Sequence, residues 1–178
     1  MRRVLVIGSG GAGKSTLARQ IGDRLDLPVV HLDAHHWRPG WEAPPKDEWA
    51  ETVERLVAAP AWVMDGNFSG TLARRLSACD TVVWLDLPRR VCLWRALKRR
   101  VRYRGRTRPD MGPGCAERLD LDFLHWIWTF PMHGRRRLLA KLEARPPHVR
   151  LVVLRTRYQV RAFLEALPEY GESVVRRR

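Results

Sequence analysis

A five-stranded, mainly parallel α/β sheet flanked by helices is the fold this sequence predicts, and three observations predict it. Five short apolar runs, Val4 to Ile7, Pro28 to Leu32, Ala61 to Met64, Thr81 to Leu85 and Val149 to Leu154, are bounded by turn or charged residues and read as strands. Helical stretches separate them, and strand alternating with helix argues for parallel pairing with helices on both faces. The first run leads directly into Gly8-Ser9-Gly10-Gly11-Ala12-Gly13-Lys14-Ser15, an ungapped match to G-x-x-x-x-G-K-[ST].

That loop is the most specific signal in the chain. Its glycines let the backbone curl until successive N–H groups point at phosphate oxygens, Lys14 adds a mobile positive charge, and the Ser15 hydroxyl can ligate Mg²⁺. It is a P-loop, and Gly8 to Thr16 is the expected nucleotide-binding segment. In the helix that follows, Leu17, Ile21 and Leu25 recur four apart and form one apolar stripe.

The second strand is expected to carry His31 and to end at Asp33. His31, Asp33, His35 and His36 are metal-ligating residue types. No further His or Cys cluster supplies a fourth donor, so local polar contacts near an acceptor pocket are favoured over a transition-metal site. Residues 33–60 hold Trp37, Trp41 and Trp49 among Pro39, Gly40, Pro44 and Pro45, where an acceptor-binding flap is expected. The indoles of Trp37 and Trp41 can stack on a base or shield a sugar. Trp49 shares a side of the helix Asp47 to Ala58 with Val53, Leu56 and Val57 and is assigned to the core.

The third strand runs into Asp65-Gly66-Asn67, and Asp86 lies near the end of the fourth. Sheets of this class gather ligands at the carboxyl ends of their strands. Asp33, Asp65 and Asp86 are therefore the candidate carboxylates. Asp65 would serve Mg²⁺ together with Ser15, and Asp33 would orient an acceptor hydroxyl or take its proton.

Between Arg89 and Arg108 stand nine arginines and Lys98. Arg89 to Arg102 reads as a basic helix with Arg95 and Arg99 on one face, and Arg104, Arg106 and Arg108 follow around Gly105. Phosphoryl transfer spreads negative charge over the moving group, which arginines on a closing lid stabilise while excluding water. Residues 99–118 are the expected lid, with Arg108 reaching substrate. Leu119 to Phe130 is expected to be a covering helix that uses Trp126 and Trp128 for packing rather than ligand contact. Arg161 to Leu167 is expected as a short closing helix, and residues 171–178 as a solvated, disordered basic tail.

A length of 178 residues suits one domain. The first strand begins at once, leaving no room for a signal peptide, and no apolar run approaches a membrane span. A soluble, cytoplasmic monomer or homodimer without a membrane partner is expected. Cys79, Cys92 and Cys115 form no C-x-x-C pair and suggest neither a disulfide framework nor a zinc site. The formal net charge of +14 brings nucleic acid into consideration as a partner, because fixed positive charge attracts phosphate whatever its carrier.

Taken together, the P-loop, Asp65-Gly66 after the third strand and the Arg95-x-x-x-Arg99 helix leading into an arginine-rich lid resemble the adenylate kinase-like branch of P-loop kinases. Leu32-Asp33, Trp41, Trp62-Val63-Met64-Asp65-Gly66-Asn67, Thr81 to Asp86, Arg106 to Met111 and Cys115 to Arg118 are more narrowly similar to bacterial topology modulation proteins (FlaR-like), also labelled adenylate kinase-related. The resemblance spans Val4 to about Leu142. It implies a nucleoside monophosphate kinase-like fold with an arginine-rich lid, binding ATP and Mg²⁺ and transferring a phosphoryl group to a nucleotide or other small acceptor. Lys14, Asp33, Asp65, Arg95 and Arg99 would be catalytic, and Asp33, Trp37, Trp41, Asp65, Gly66, Asn67 and Arg108 would face the acceptor. Adenylate kinases continue the Asp-Gly pair with Phe-Pro-Arg, whereas this chain has Asn67-Phe68-Ser69, so the monophosphate-gripping arginine is missing. Alternatives are a nucleotide-dependent DNA-associated regulatory protein and an ATPase whose only acceptor is water.

Overall fold

The computed structural model describes residues 1–118 and 120–168. Its sheet has five parallel strands, β1 (Arg3–Gly8), β2 (Val29–His31), β3 (Trp62–Asp65), β4 (Thr81–Leu85) and β5 (Arg150–Leu154), in the order β2-β3-β1-β4-β5. β1 is central and pairs with β3 on one side and β4 on the other. The chain therefore changes direction across the sheet at the end of β1, which opens a crevice where a ligand can enter.

Central parallel strands are covered on both faces and read as unbroken apolar runs. Val4, Leu5, Val6 and Ile7 are all fully buried, and successive residues enter opposite layers. Leu5 and Ile7 join Met64, Val82 and Trp84 under α3 (Lys46–Ala58), α4 (Leu72–Ala78) and α7 (Gly134–Glu143). Val4 and Val6 join Val63, Val83 and Leu85 under α1 (Lys14–Leu25), α5 (Arg89–Arg102), α6 (Leu121–Thr129) and α8 (Arg157–Glu165). Leu17 and Ile21 of the expected stripe on α1 are buried there, and Trp49 is buried in the opposite layer as expected.

Two expectations change, and two helices were not anticipated. β2 stops at His31, and Asp33 lies in the first turn of a short helix, α2 (Leu32–His36), rather than at a strand end. The alternate-residue face that His31 and Asp33 would have shared on a strand is thus broken. α4 and α7 were not anticipated, because their short segments are interrupted by arginines that dilute the apolar period. The last helix spans Arg157–Glu165 rather than Arg161 to Leu167: Thr156 accepts from the Gln159 N–H, and Gln159 returns a bond to the Thr156 N–H, so this capping box sets the start a turn earlier. The expected basic tail at residues 171–178 lies outside the described residues.

Candidate functional site

A cleft of about 1010 Å³ opens over the ends of β1 and β3, with Gly10 to Thr16 as its floor. The floor can exist only with glycine at two places. A Cβ on Gly8 would sit 2.5 Å from Leu85 O, and one on Gly11, whose φ is +71°, would sit 2.1 Å from Cys92 O. α1 begins behind this loop with no side-chain cap and no acidic residue in its first turn. Its N-terminal N–H groups and dipole are thus available to an anion.

Lys14 donates to Ser9 O at 3.0 Å, and Arg95 on α5 donates to Ala12 O at 3.1 Å, so both cations brace the loop they face. Burial pulls the Lys14 pKa below its ordinary value, with Asp33 and Asp65 opposing. Gly8 and Ser9, expected among the nucleotide contacts, lie behind the cleft wall. Ser9 is buried, and Gly8 is held by Asn67, which accepts from its N–H at 3.1 Å and donates to its carbonyl at 2.8 Å.

Asp65 also lies behind the wall and reaches the floor through Ser15, whose hydroxyl donates to Asp65 Oδ2 at 2.7 Å. The other oxygen, Oδ1, is 2.5 Å from His31 Nδ1. Burial disfavours the His31 imidazolium, yet the hydrogen bond and charge of Asp65 outweigh it and raise the His31 pKa. Ser15 and Asp65 thus form an adjoining hydroxyl and carboxylate, the oxygen donors a hard divalent cation takes.

Asp33 enters the cleft from α2, and among the described residues no hydrogen bond engages its carboxylate. Burial raises its pKa, Lys14 opposes, and the neighbouring charge of Asp65 adds to the rise. Asp86 has another fate. Arg135 of α7 grips it through two bonds of 3.0 Å and Arg155 stands 3.6 Å away, so it ties α7 to the sheet and does not line the cleft.

The lid segment differs most from expectation. Arg99 Nε donates to Glu117 Oε1 at 3.1 Å, and Arg108 is buried between Glu117 Oε2 at 2.8 Å and Asp110 Oδ2 at 2.9 Å. Burial lowers the Arg99 pKa, Arg108 lowers it further, and Glu117 resists. Glu117 therefore occupies two of the three arginines that were expected to reach phosphate or substrate, and leaves Arg95 to the cleft. Arg104 and Arg106 are exposed. Trp37 and Trp41 line the cleft with ring centroids 5.6 Å apart, and Trp41 Nε1 donates to Ala116 O at 3.0 Å, joining flap to lid. Trp126 lines the cleft as well, stacked on Phe123 at 5.9 Å, so its role is not packing alone.

Gly66 and Asn67 both line the cleft, and the residue that shapes their turn was missed in the sequence. Arg75, fully buried on α4, donates to the carbonyls of Gly66 at 2.9 Å, Asn67 at 2.5 Å and Phe68 at 2.8 Å. Burial pulls its pKa down to about 9. One arginine inside an otherwise short amphipathic segment gives no sequence signal of that duty. Glu117, in a lid read for its cations, gave none either.

Among solved structures the fold is similar to a shikimate kinase from Acinetobacter baumannii in complex with shikimate, at 13% identity and a TM-score of 0.58, over 100% of this chain and 95% of that one. It is also similar to a shikimate kinase from Bacteroides thetaiotaomicron, at 14% identity and a TM-score of 0.54, over 93% of this chain and 95% of that one. No protein-family model and no curated protein matches the chain. These likenesses establish the P-loop kinase-like α/β fold, and they do not extend to the narrower resemblance to topology modulation proteins.

Proposed function

We propose that this protein is a kinase that moves the γ-phosphoryl of ATP to a hydroxyl of a small acceptor bound between Asp33 and the Trp37/Trp41 flap. The observation that carries the reading is the Asp33 carboxylate, unengaged and facing the cleft whose floor is the P-loop and the uncapped start of α1. A half-buried carboxylate that faces a cleft without a protein partner fits a group reserved for a ligand hydroxyl. Both similar structures are kinases, one of them with shikimate bound, which supports a small hydroxylated acceptor.

In the proposed reaction the P-loop N–H groups and Lys14 hold the β- and γ-phosphates, and Arg95, which lines the cleft, neutralises the charge that develops on the moving group, joined by Arg99 only where bound phosphate draws it from Glu117. Asp33 takes the proton from the acceptor hydroxyl, the oxygen forms a bond to the γ-phosphorus, and the bond from that phosphorus to the β,γ-bridging oxygen breaks, leaving ADP. Ser15 and Asp65 would hold Mg²⁺, which when bound offsets phosphate charge.

A nucleoside monophosphate is the less suited acceptor. The turn after β3 presents no side-chain cation of its own, and Arg75, which reaches it from α4, is saturated by three carbonyls. ADP release measured over a panel of nucleosides, nucleoside monophosphates, sugars and small alcohols tests the reading. Acceptor-dependent ADP formation by a hydroxylated compound is expected; ATP consumption that no acceptor stimulates would make water the acceptor and overturn it. A DNA-associated switch rests on the net charge of +14, and tight duplex binding with a steep salt slope would be its signature.

A further inference from the structure

Helix α5 has two faces. One packs Cys92 and Ala96 against the P-loop. The other exposes Val91, Trp94, Leu97 and Val101, recurring at spacings of three and four, with Trp94 67% and Val101 78% exposed. α5 contains no carboxylate: its charged residues are Arg89, Arg90, Arg95, Lys98, Arg99, Arg100 and Arg102. Of these, Arg90, Lys98 and Arg102 are exposed and form no ion pair among the described residues; Lys98 and Arg102 flank the apolar stripe on the side where α5 also lines the cleft.

An exposed tryptophan within an aliphatic stripe on a wholly cationic helix needs a partner that is apolar at depth and anionic at its surface. Pairing of α5 with its own counterpart in a second copy does not supply it, because stacking two such helices would oppose like charges without a carboxylate on either to relieve them. A duplex offers phosphate to the arginines and nothing to Val91, Leu97 and Val101. The stripe lies on the outer side of a helix about 21 Å long, a shape that suits a planar layer. No described helix is long and apolar enough to cross a membrane, so any contact of this kind is peripheral.

We propose that α5 is a docking surface for anionic lipid bilayers: Trp94, Val91, Leu97 and Val101 enter the headgroup boundary while Arg90, Lys98 and Arg102 meet lipid phosphates. Trp94 takes the interfacial depth that indoles favour. This is independent of which acceptor the cleft takes, and its test does not use turnover.

The test is flotation of the full chain with phosphatidylcholine vesicles, either pure or carrying about one-third phosphatidylglycerol, near physiological salt. Flotation with the anionic vesicles alone is expected, with a blue shift of tryptophan emission. The double variant Trp94→Ser, Val101→Ser keeps every charge and should partition at least about tenfold less, since removing these side chains forfeits the apolar burial. Failure of the wild type to float overturns the proposal. Equal flotation of the double variant also overturns it, because charge alone would then suffice. Tight duplex DNA binding that the double variant loses would reassign the surface to nucleic acid, and dimerisation that it abolishes would reassign it to a second copy. Val101→Ser alone, at the most exposed position, replaces the double variant should the latter not fold.

Discussion

Asn67 clasps Gly8 across the crevice, accepting from its N–H and donating to its carbonyl with one side-chain amide. The turn after β3 and the first residue of the P-loop are thereby fixed as one piece. Asn67→Ala removes both bonds, worth about 1 kcal/mol each, so ATP affinity should fall roughly tenfold to thirtyfold. Isothermal titration of wild type and variant with ATP measures it, and an unchanged affinity would show that the clasp does not shape the nucleotide floor.

Lys14→Ala should abolish nucleotide binding or turnover. The substitution removes the half-buried ammonium that Asp33 and Asp65 help keep charged, and with it the mobile cation of the floor. Full ATP affinity together with full activity in this variant would refute the site assignment.

Asp33→Asn should lower turnover by about 10²–10⁴ while stabilising the fold at neutral pH. Burial raises the folded-state pKa of Asp33 above its unfolded value. Its protonated form therefore favours folding below the unfolded value, and that contribution is lost as pH rises through the folded one. Ionised Asp33 is a cost at neutral pH that asparagine relieves, and the gain should shrink towards acid. Wild-type turnover should move the other way, falling as pH drops through the raised pKa. Thermal melts and rates across pH 4–8 read both trends, and a variant that is less stable at neutral pH contradicts the assignment.

Glu117→Gln should release Arg99 and leave Arg108 with Asp110 alone. An inorganic polyphosphate probe such as tripolyphosphate should then bind several-fold more tightly, as the freed guanidinium is available to anions. Melting should come a few degrees earlier, because a buried arginine loses one of its two counter-charges. Weaker tripolyphosphate binding would mean that Glu117 organises the lid arginines for phosphate rather than withholding them.

Arg75→Leu should be the most destabilising of these changes. Three carbonyls lose their donor, at about 1 kcal/mol or more each, which for a chain of this size lowers Tm by roughly 6–12 °C. A melting temperature within about 2 °C of wild type would show that the turn is held by other means.

The sheet and the P-loop could be read in the sequence because both write their demands locally. A buried parallel strand needs a continuous apolar run, and a phosphate cradle needs glycine where a Cβ would strike Leu85 or Cys92. The basic helix Arg89–Arg102 was legible to its boundaries, since proline precedes it and its charges crowd one segment. The pairing of the charges was not legible. Nothing in the spacing of Arg99, Arg108 and Glu117 reveals that one carboxylate holds two arginines, nor that Asp86 faces Arg135 rather than the cleft. Such partnerships depend on which loops the tertiary fold brings together, and the same is true of Arg75 and its three carbonyls.

Flap and lid meet through several contacts, among them Trp41 Nε1 donating to Ala116 O, the Gly40 N–H donating to Gly114 O, and the Cys115 thiol pointing at Arg38 O from 3.2 Å. Joined in this way, they form one door over the cleft rather than two shutters. Under the proposed reaction, whichever ligand arrives first would draw the door part-way over the place of the other, so the two affinities would be linked by a shared free energy. A door that closes fully only when both ligands are bound would exclude water from the γ-phosphate at the moment of transfer.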